Sequence, residues 1–122
     1  MESKNIFLVE DDTSMRQLLH NAFAEEGFDV ESAKDGEEAI EKLQRITPDM
    51  ILLDIILPKK DGFEVLQFVR EYEALKNVPV VLLTNLERSE DIEKALSLGA
   101  TTYMVKSNYT LQEIVERIRS LS

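Results

Sequence analysis

Apolar positions along the chain fall into two kinds of segment, and the two alternate. Short unbroken blocks occur at Ile6–Val9, Met50–Leu53 and Val80–Leu83, with weaker ones at Asp29–Ala33 and Thr102–Val105. Between them, apolar residues recur at intervals of three and four. In the first such stretch Met15, Leu18, Leu19, Ala22 and Phe23 form the stripe of an amphipathic helix. Thr13 or Ser14 can cap its start, and Gly27 ends it. A second helix over residues 36–45 presents Ala39, Ile40 and Leu43 before Thr47-Pro48 stops it. A third begins near Gly62 and presents Phe63, Leu66 and Val69. The fourth, over residues 89–98, presents Ile92, Ala95 and Leu96, and Gly99 closes it. The last starts at the capping box Thr110-Leu111-Gln112-Glu113 and presents Ile114, Val115, Ile118 and Leu121.

The pattern is therefore strand then helix, five times over. The three strong strands are apolar without alternation, as expected where helices cover both faces of a parallel sheet. Right-handed crossovers then give an α/β fold, a three-layer α/β/α sandwich around a doubly wound five-stranded parallel sheet. The 122 residues suit one domain, and no linker or low-complexity stretch divides them.

Composition narrows the function. Acidic residues outnumber Lys and Arg by 24 to 14, for a formal net charge of −10. A general nucleic-acid binder needs a basic face, so direct nucleic-acid binding is not expected. There is no cysteine, hence no disulfide framework, thiolate metal site or thiol nucleophile. The apolar blocks are far shorter than the roughly 20 residues that span a bilayer, and Met1-Glu2-Ser3-Lys4-Asn5 leads straight into the first of them. The expectation is a soluble cytoplasmic protein without membrane insertion.

In an open parallel sheet, ligands bind beyond the carboxyl ends of the strands. Glu10-Asp11-Asp12 follows the first strand, Asp54 the third and Thr84 the fourth, while Lys106 follows the fifth. Each has an ordinary explanation alone: a helix cap, a turn residue, a loop hydroxyl, a solvated lysine. Their joint arrival on one sheet edge points to a site. Clustered carboxylates stay ionised only if a cation joins them, and oxygen ligands without His or Cys suit Mg²⁺. A hydroxyl and an ammonium beside that cation suit a phosphoryl group, and an aspartate so flanked can accept one as an acyl phosphate.

These residues carry a resemblance. Leu8-Val9-Glu10-Asp11-Asp12, Leu53-Asp54-Ile55-Ile56-Leu57-Pro58 with Asp61-Gly62, Leu83-Thr84-Asn85, and Gly99-Ala100 with Tyr103-Met104-Val105-Lys106 resemble the receiver domain of bacterial two-component response regulators. The resemblance covers essentially residues 1–122 and implies a (βα)5 flavodoxin-like domain, with no output domain in this chain. It implies that Asp54 takes a phosphoryl group from the phosphohistidine of a sensor histidine kinase or phosphotransfer protein. By the same resemblance Asp11, Asp54 and the backbone carbonyl of Ile56 would ligate Mg²⁺, and Glu10 would hold the ion through water. Either Glu10-Asp11 or Asp11-Asp12 could be the working pair; the following Thr13-Ser14-Met15-Arg16 aligns better with the first. Thr84 and Lys106 would grip the phosphoryl oxygens, and Tyr103 would be an aromatic switch that turns inward with Thr84. The implied output is altered binding of a downstream protein through the fourth helix, fifth strand and fifth helix, by a monomer or a phosphorylation-induced dimer.

The chain departs from the family pattern in three places. Ser107 stands where a proline, often cis, usually follows the lysine; a cis bond before a non-proline residue costs about 2.5–4 kcal/mol, so the loop Ser107-Asn108-Tyr109 should take another path. Asn85 is bulkier than the small residue usual after the threonine, and could narrow access. Ile56 and Leu86 are apolar where polar groups often orient an attacking water, so slow hydrolysis of the acyl phosphate is expected. Two other functions compete. A receiver-like interaction module that ignores phosphorylation would be favoured by an incomplete site. A Mg²⁺-dependent phosphohydrolase would need its nucleophile after the first strand, where Glu10 stands, and residues for a cap domain. The only histidine, His20, lies off the first helix stripe and reads as exposed.

Overall fold

The structure, a computed structural model, describes residues 4–55, 57, 61–85 and 89–122. Ile56, Leu86 and Pro58, which entered the sequence argument, lie outside the described residues. Strands β1 (Asn5–Val9), β2 (Asp29–Ala33), β3 (Met50–Leu53), β4 (Val80–Thr84) and β5 (Thr102–Val105) alternate with helices α1 (Thr13–Glu25), α2 (Gly36–Leu43), α3 (Gly62–Glu71), α4 (Ser89–Ser97) and α5 (Leu111–Leu121). All strand pairs are parallel, in the order β2-β1-β3-β4-β5. The order reverses between β1 and β3, so the crevice over their carboxyl ends is the expected ligand position.

The strand sequences explain the three layers. Successive residues of a strand point to opposite faces. Phe7, Val9, Ile51, Leu53, Val80 and Leu82 pack on one face, with Ala39 and Leu43 of α2, Val65, Leu66 and Val69 of α3, and Ala95 of α4. Ile6, Leu8, Met50, Leu52, Val81, Leu83 and Met104 pack on the other, with Leu19 and Phe23 of α1 and Ile114, Val115 and Ile118 of α5. The expected three-layer sandwich is what forms, with a separate apolar core on each side.

Several helix details differ from expectation. Asp12, not Thr13 or Ser14, caps α1, its carboxylate accepting from the Met15 N–H at 2.8 Å. Helix α2 ends at Leu43, short of Arg45. Leu18, Leu96 and Leu121 are exposed rather than buried. Leu18 and Leu96 each sit one position from the residues that centre the buried stripe, Leu19 and Ala95, and about 100° per residue turns them outward. Leu121, in the last turn of α5, lines a cavity of about 280 Å³ at the amino ends of the strands with Phe28 and Pro79. His20 is half-buried, not exposed. Gly27 and Gly99 follow α1 and α4 with φ of 94° and 106°, the left-handed conformation that ends helices.

Candidate functional site

The sheet delivers the site residues by carrying its ladders one residue past the strands. The Glu10 N–H donates to the Ala33 carbonyl at 3.1 Å, and the Asp54 N–H donates to the Val9 carbonyl at 3.1 Å. Thr84 is the last residue of β4, in register with Val105, and Lys106 follows. Four side chains from four chain segments thus reach one edge, as the sequence suggested.

Asp54 is the centre. The Thr84 hydroxyl donates to its Oδ1 at 2.9 Å, and the Lys106 ammonium donates to its Oδ2 at 2.8 Å. The same ammonium donates to Oε1 of Glu10. Glu10, Asp54 and Thr84 are all buried. Asp11 is exposed, yet one carboxylate oxygen from each of Glu10, Asp11 and Asp54 lies within 4.8 Å of the others. An all-oxygen, all-carboxylate set of this kind suits a hard divalent cation such as Mg²⁺.

Charge makes the cluster receptive to a cation. Two carboxylates, Glu10 and Asp54, share one ammonium, and a third, Asp11, lies beside them. Burial pushes the Glu10 carboxyl up to about 7; Lys106 opposes that rise and the neighbouring Asp54 adds to it. For Lys106, burial works to lower the pKa, but its hydrogen bonds and charge pairing with Asp54 and Glu10 outweigh it and hold the ammonium above its ordinary value. Oε2 of Glu10 is buried and, among the described residues, has no hydrogen-bond partner. A buried carboxylate oxygen without a donor is costly. A metal ion, or water held by one, would satisfy it, so the residues fit the group the resemblance implied.

Asp12 spends a carboxylate oxygen on the cap of α1, while Glu10 and Asp11 are the two of the acidic run whose oxygens lie together with Asp54. Tyr103 is 42% exposed. The loop after β5 takes a 3-10 turn over Lys106–Asn108, closed by the Tyr109 N–H on the Lys106 carbonyl at 3.3 Å, and no described peptide bond is cis. Asn85, expected only as an obstruction, accepts from the Ser107 N–H at 3.1 Å. Arg16 also bears on the acidic turn. Its guanidinium donates to the Glu10 carbonyl at 2.9 Å and so ties α1 to the acidic turn. A lone cation one helical turn beyond an acidic run was the available signal.

The family model "Response regulator receiver domain" matches residues 6–119. The transcriptional regulatory protein TrcR of Mycobacterium tuberculosis is 40% identical over 95% of this chain and 44% of its own length. The chain thus spans less than half of that relative. Among solved structures, chemotaxis response regulator CheY4 of Vibrio cholerae superposes with a TM-score of 0.91 at 28% identity, covering 99% of this chain and 100% of that one. The phosphorylated cyanobacterial phytochrome response regulator RcpA gives 0.86 at 34%, covering 98% and 91%. The Mn²⁺-bound form of response regulator Rcp1 gives 0.82 at 30%, covering 97% and 91%. The chain belongs to the response regulator receiver domain family, the phosphoacceptor modules of two-component signalling.

Proposed function

We propose that Asp54 accepts a phosphoryl group from the phosphohistidine of a sensor histidine kinase or phosphotransfer protein, and that the acyl phosphate changes which downstream protein the chain binds. The observation that carries this reading is the convergence on one buried carboxylate: Asp54 holds the Thr84 hydroxyl on one oxygen and the Lys106 ammonium on the other. In the transfer, an Asp54 oxygen forms the new O–P bond while the N–P bond to the donor imidazole breaks. The leaving nitrogen keeps that electron pair and takes a proton from solvent. Lys106 and Thr84 are already beside the reacting oxygens, so they can follow the phosphoryl oxygens with little rearrangement and offset the incoming charge.

Glu10, Asp11 and Asp54 would hold Mg²⁺, and the Ile56 carbonyl would join them, although it lies outside the described residues. When bound, the ion neutralises the carboxylates and takes phosphoryl oxygens as ligands. The Mn²⁺ in Rcp1 and the phosphorylation of RcpA, both relatives by fold and sequence, support this reading. Tyr103 would respond by turning inward as Thr84 shifts. The face made by α4, β5 and α5, where Leu96 and Tyr103 are exposed, would carry the change to the partner. Only contacts that differ between the two states move that equilibrium, and the Thr84 and Lys106 contacts are the ones a phosphoryl group replaces.

Intact mass after incubation with acetyl phosphate tests the reading. A gain of one phosphoryl group that needs Mg²⁺ and vanishes in Asp54→Asn is expected. No gain in a folded protein that binds Mg²⁺ would refute it in favour of a phosphorylation-independent interaction module.

A further inference from the structure

We propose that Asn85 is a positioning residue for the phosphoryl-transfer site, holding the Lys106 ammonium in place through the hydrogen bond it accepts from the Ser107 backbone. The inference rests on the Asp54 reading above and adds a residue to it.

The need arises from topology. Strand β5 lies at the edge of the sheet, hydrogen-bonded to β4 alone. Its last rung pairs Thr84 with Val105, so Lys106 stands one residue past the end of a strand held on one side only. There the chain leaves extended geometry for the 3-10 turn over Lys106–Asn108. The first N–H groups of such a turn have no partner within it, and an exposed edge-strand end frays readily. Yet Lys106 must keep its ammonium on two buried carboxylates, Asp54 and Glu10.

Asn85 answers the need. It directly follows Thr84, and its Oδ1 takes the Ser107 N–H at 3.1 Å. A side-chain carbonyl thereby supplies one more rung between β4 and β5 after the backbone ladder has ended. Ser107 can donate because it retains an N–H, which a proline there would lack. The other polar atom of that same peptide group, the Lys106 carbonyl, accepts from the Tyr109 N–H at 3.3 Å. The peptide group that follows Lys106 is thus held through both its polar atoms, and the separation of Thr84 from Lys106 is set by a bond between their immediate neighbours. Both groups touch Asp54, so the rung fixes the two partners of the phosphoacceptor relative to each other.

The test combines phosphorylation of the full chain by acetyl phosphate, read by intact mass, with hydrogen exchange at the Ser107 amide, read by NMR. Asn85→Ala is expected to slow phosphorylation about fivefold at saturating Mg²⁺, equivalent to about 1 kcal/mol, and to leave Mg²⁺ affinity within twofold. In a Lys106→Met background the same substitution should cost nothing further, because its effect runs through the ammonium. Ser107 exchange should quicken at least tenfold in Asn85→Ala and stay slow in Asn85→Asp, which keeps the acceptor oxygen. Equal rates in wild type and Asn85→Ala would overturn the inference, as would equal slowing with Lys106 removed, or unchanged Ser107 exchange. A wild-type chain that takes up no phosphoryl group would overturn the Asp54 reading itself, and this inference with it.

Discussion

Gly62 offers a sharp test of how the fold holds its phosphoacceptor. It opens α3, and its N–H donates to the Ile55 carbonyl at 3.0 Å. A methyl group at this position would lie 2.4 Å from the Ile55 Cα, 2.7 Å from the Asp54 carbonyl oxygen and 2.9 Å from the Ile55 Cδ1. The first two are backbone atoms of the segment that carries Asp54, and the first contact is about 1 Å too short. Gly62→Ala must therefore push α3 off the sheet or drag residues 54 and 55 with it. Overpacking of this kind costs typically about 1–3 kcal/mol, and the backbone neighbours place this case in the upper half. For a chain of this length each kcal/mol lowers Tm by roughly 3–5 °C, so a fall of about 6–15 °C is expected by thermal denaturation followed by circular dichroism. A misplacement of about 1 Å at the reacting group can cost on the order of 100-fold in rate, so acetyl phosphate labelling should fall at least tenfold in protein still folded at the assay temperature. Gly27→Ala is the control. Its Cβ meets nothing within 4 Å, and only the φ of 94° opposes it, at about 1–2 kcal/mol and with no effect on labelling. A Gly62→Ala protein with unchanged Tm and wild-type labelling would refute the claim that the α3 start and the Asp54 backbone are in obligate contact.

Other outcomes follow from side chains described by the structure. Arg70 donates to the carbonyls of Gly99 at 2.8 Å, Lys76 at 3.1 Å and Val78 at 2.7 Å, joining α3 to two loops. Arg70→Met should cost about 2–4 kcal/mol in urea unfolding, since half-buried carbonyls lose a charged donor, and Arg70→Lys should recover little of it. By contrast the exposed Arg119–Glu26 pair, at 2.7 Å, should change stability by less than about 1 kcal/mol when Glu26 becomes Ala. Leu66 is wholly buried against the sheet, and Leu66→Ala should cost about 2–5 kcal/mol. In metal-free protein the Glu10 carboxyl is raised by burial from 4.5 to about 7, so the folded state binds the extra proton between those values. Stability should then fall as pH rises from 4.5 through 7, and the slope should flatten in Glu10→Gln. A Glu10→Gln profile as steep as wild type would show that this carboxyl is not the source.

The strands and the site were legible in the sequence for the same reason: each depends on local residue type. Unbroken apolar blocks mark buried parallel strands, and the polar residue after each block lands at the sheet edge by topology alone. Glu10, Asp54, Thr84 and Lys106 could therefore be placed together before any coordinates. Helix faces were less legible, because a stripe specifies a direction only to within about one residue's rotation of 100°. Leu18 and Leu96 fell on the wrong side of that margin. The caps turned on competition between neighbours: Asp12, Thr13 and Ser14 are all able to cap, and the backbone angle at Asp12 decided it. The roles of Asn85, Arg16 and Arg70 were hidden for a different reason. Each acts on backbone atoms of another segment, and a backbone carbonyl or N–H leaves no mark in a sequence.

Helix α4 buries a single residue completely, Ala95, while α3 buries four and α5 three. Its remaining ties include the Lys94 ammonium over the Phe63 ring at 4.2 Å. Substitution along the other positions of α4 therefore removes little apolar burial and disturbs the fold little. In evolutionary terms this helix is cheap ground. Its outward residues can drift through many neutral steps, while Asp54 and Thr84 at the sheet edge a few residues away, buried and bonded to each other, cannot.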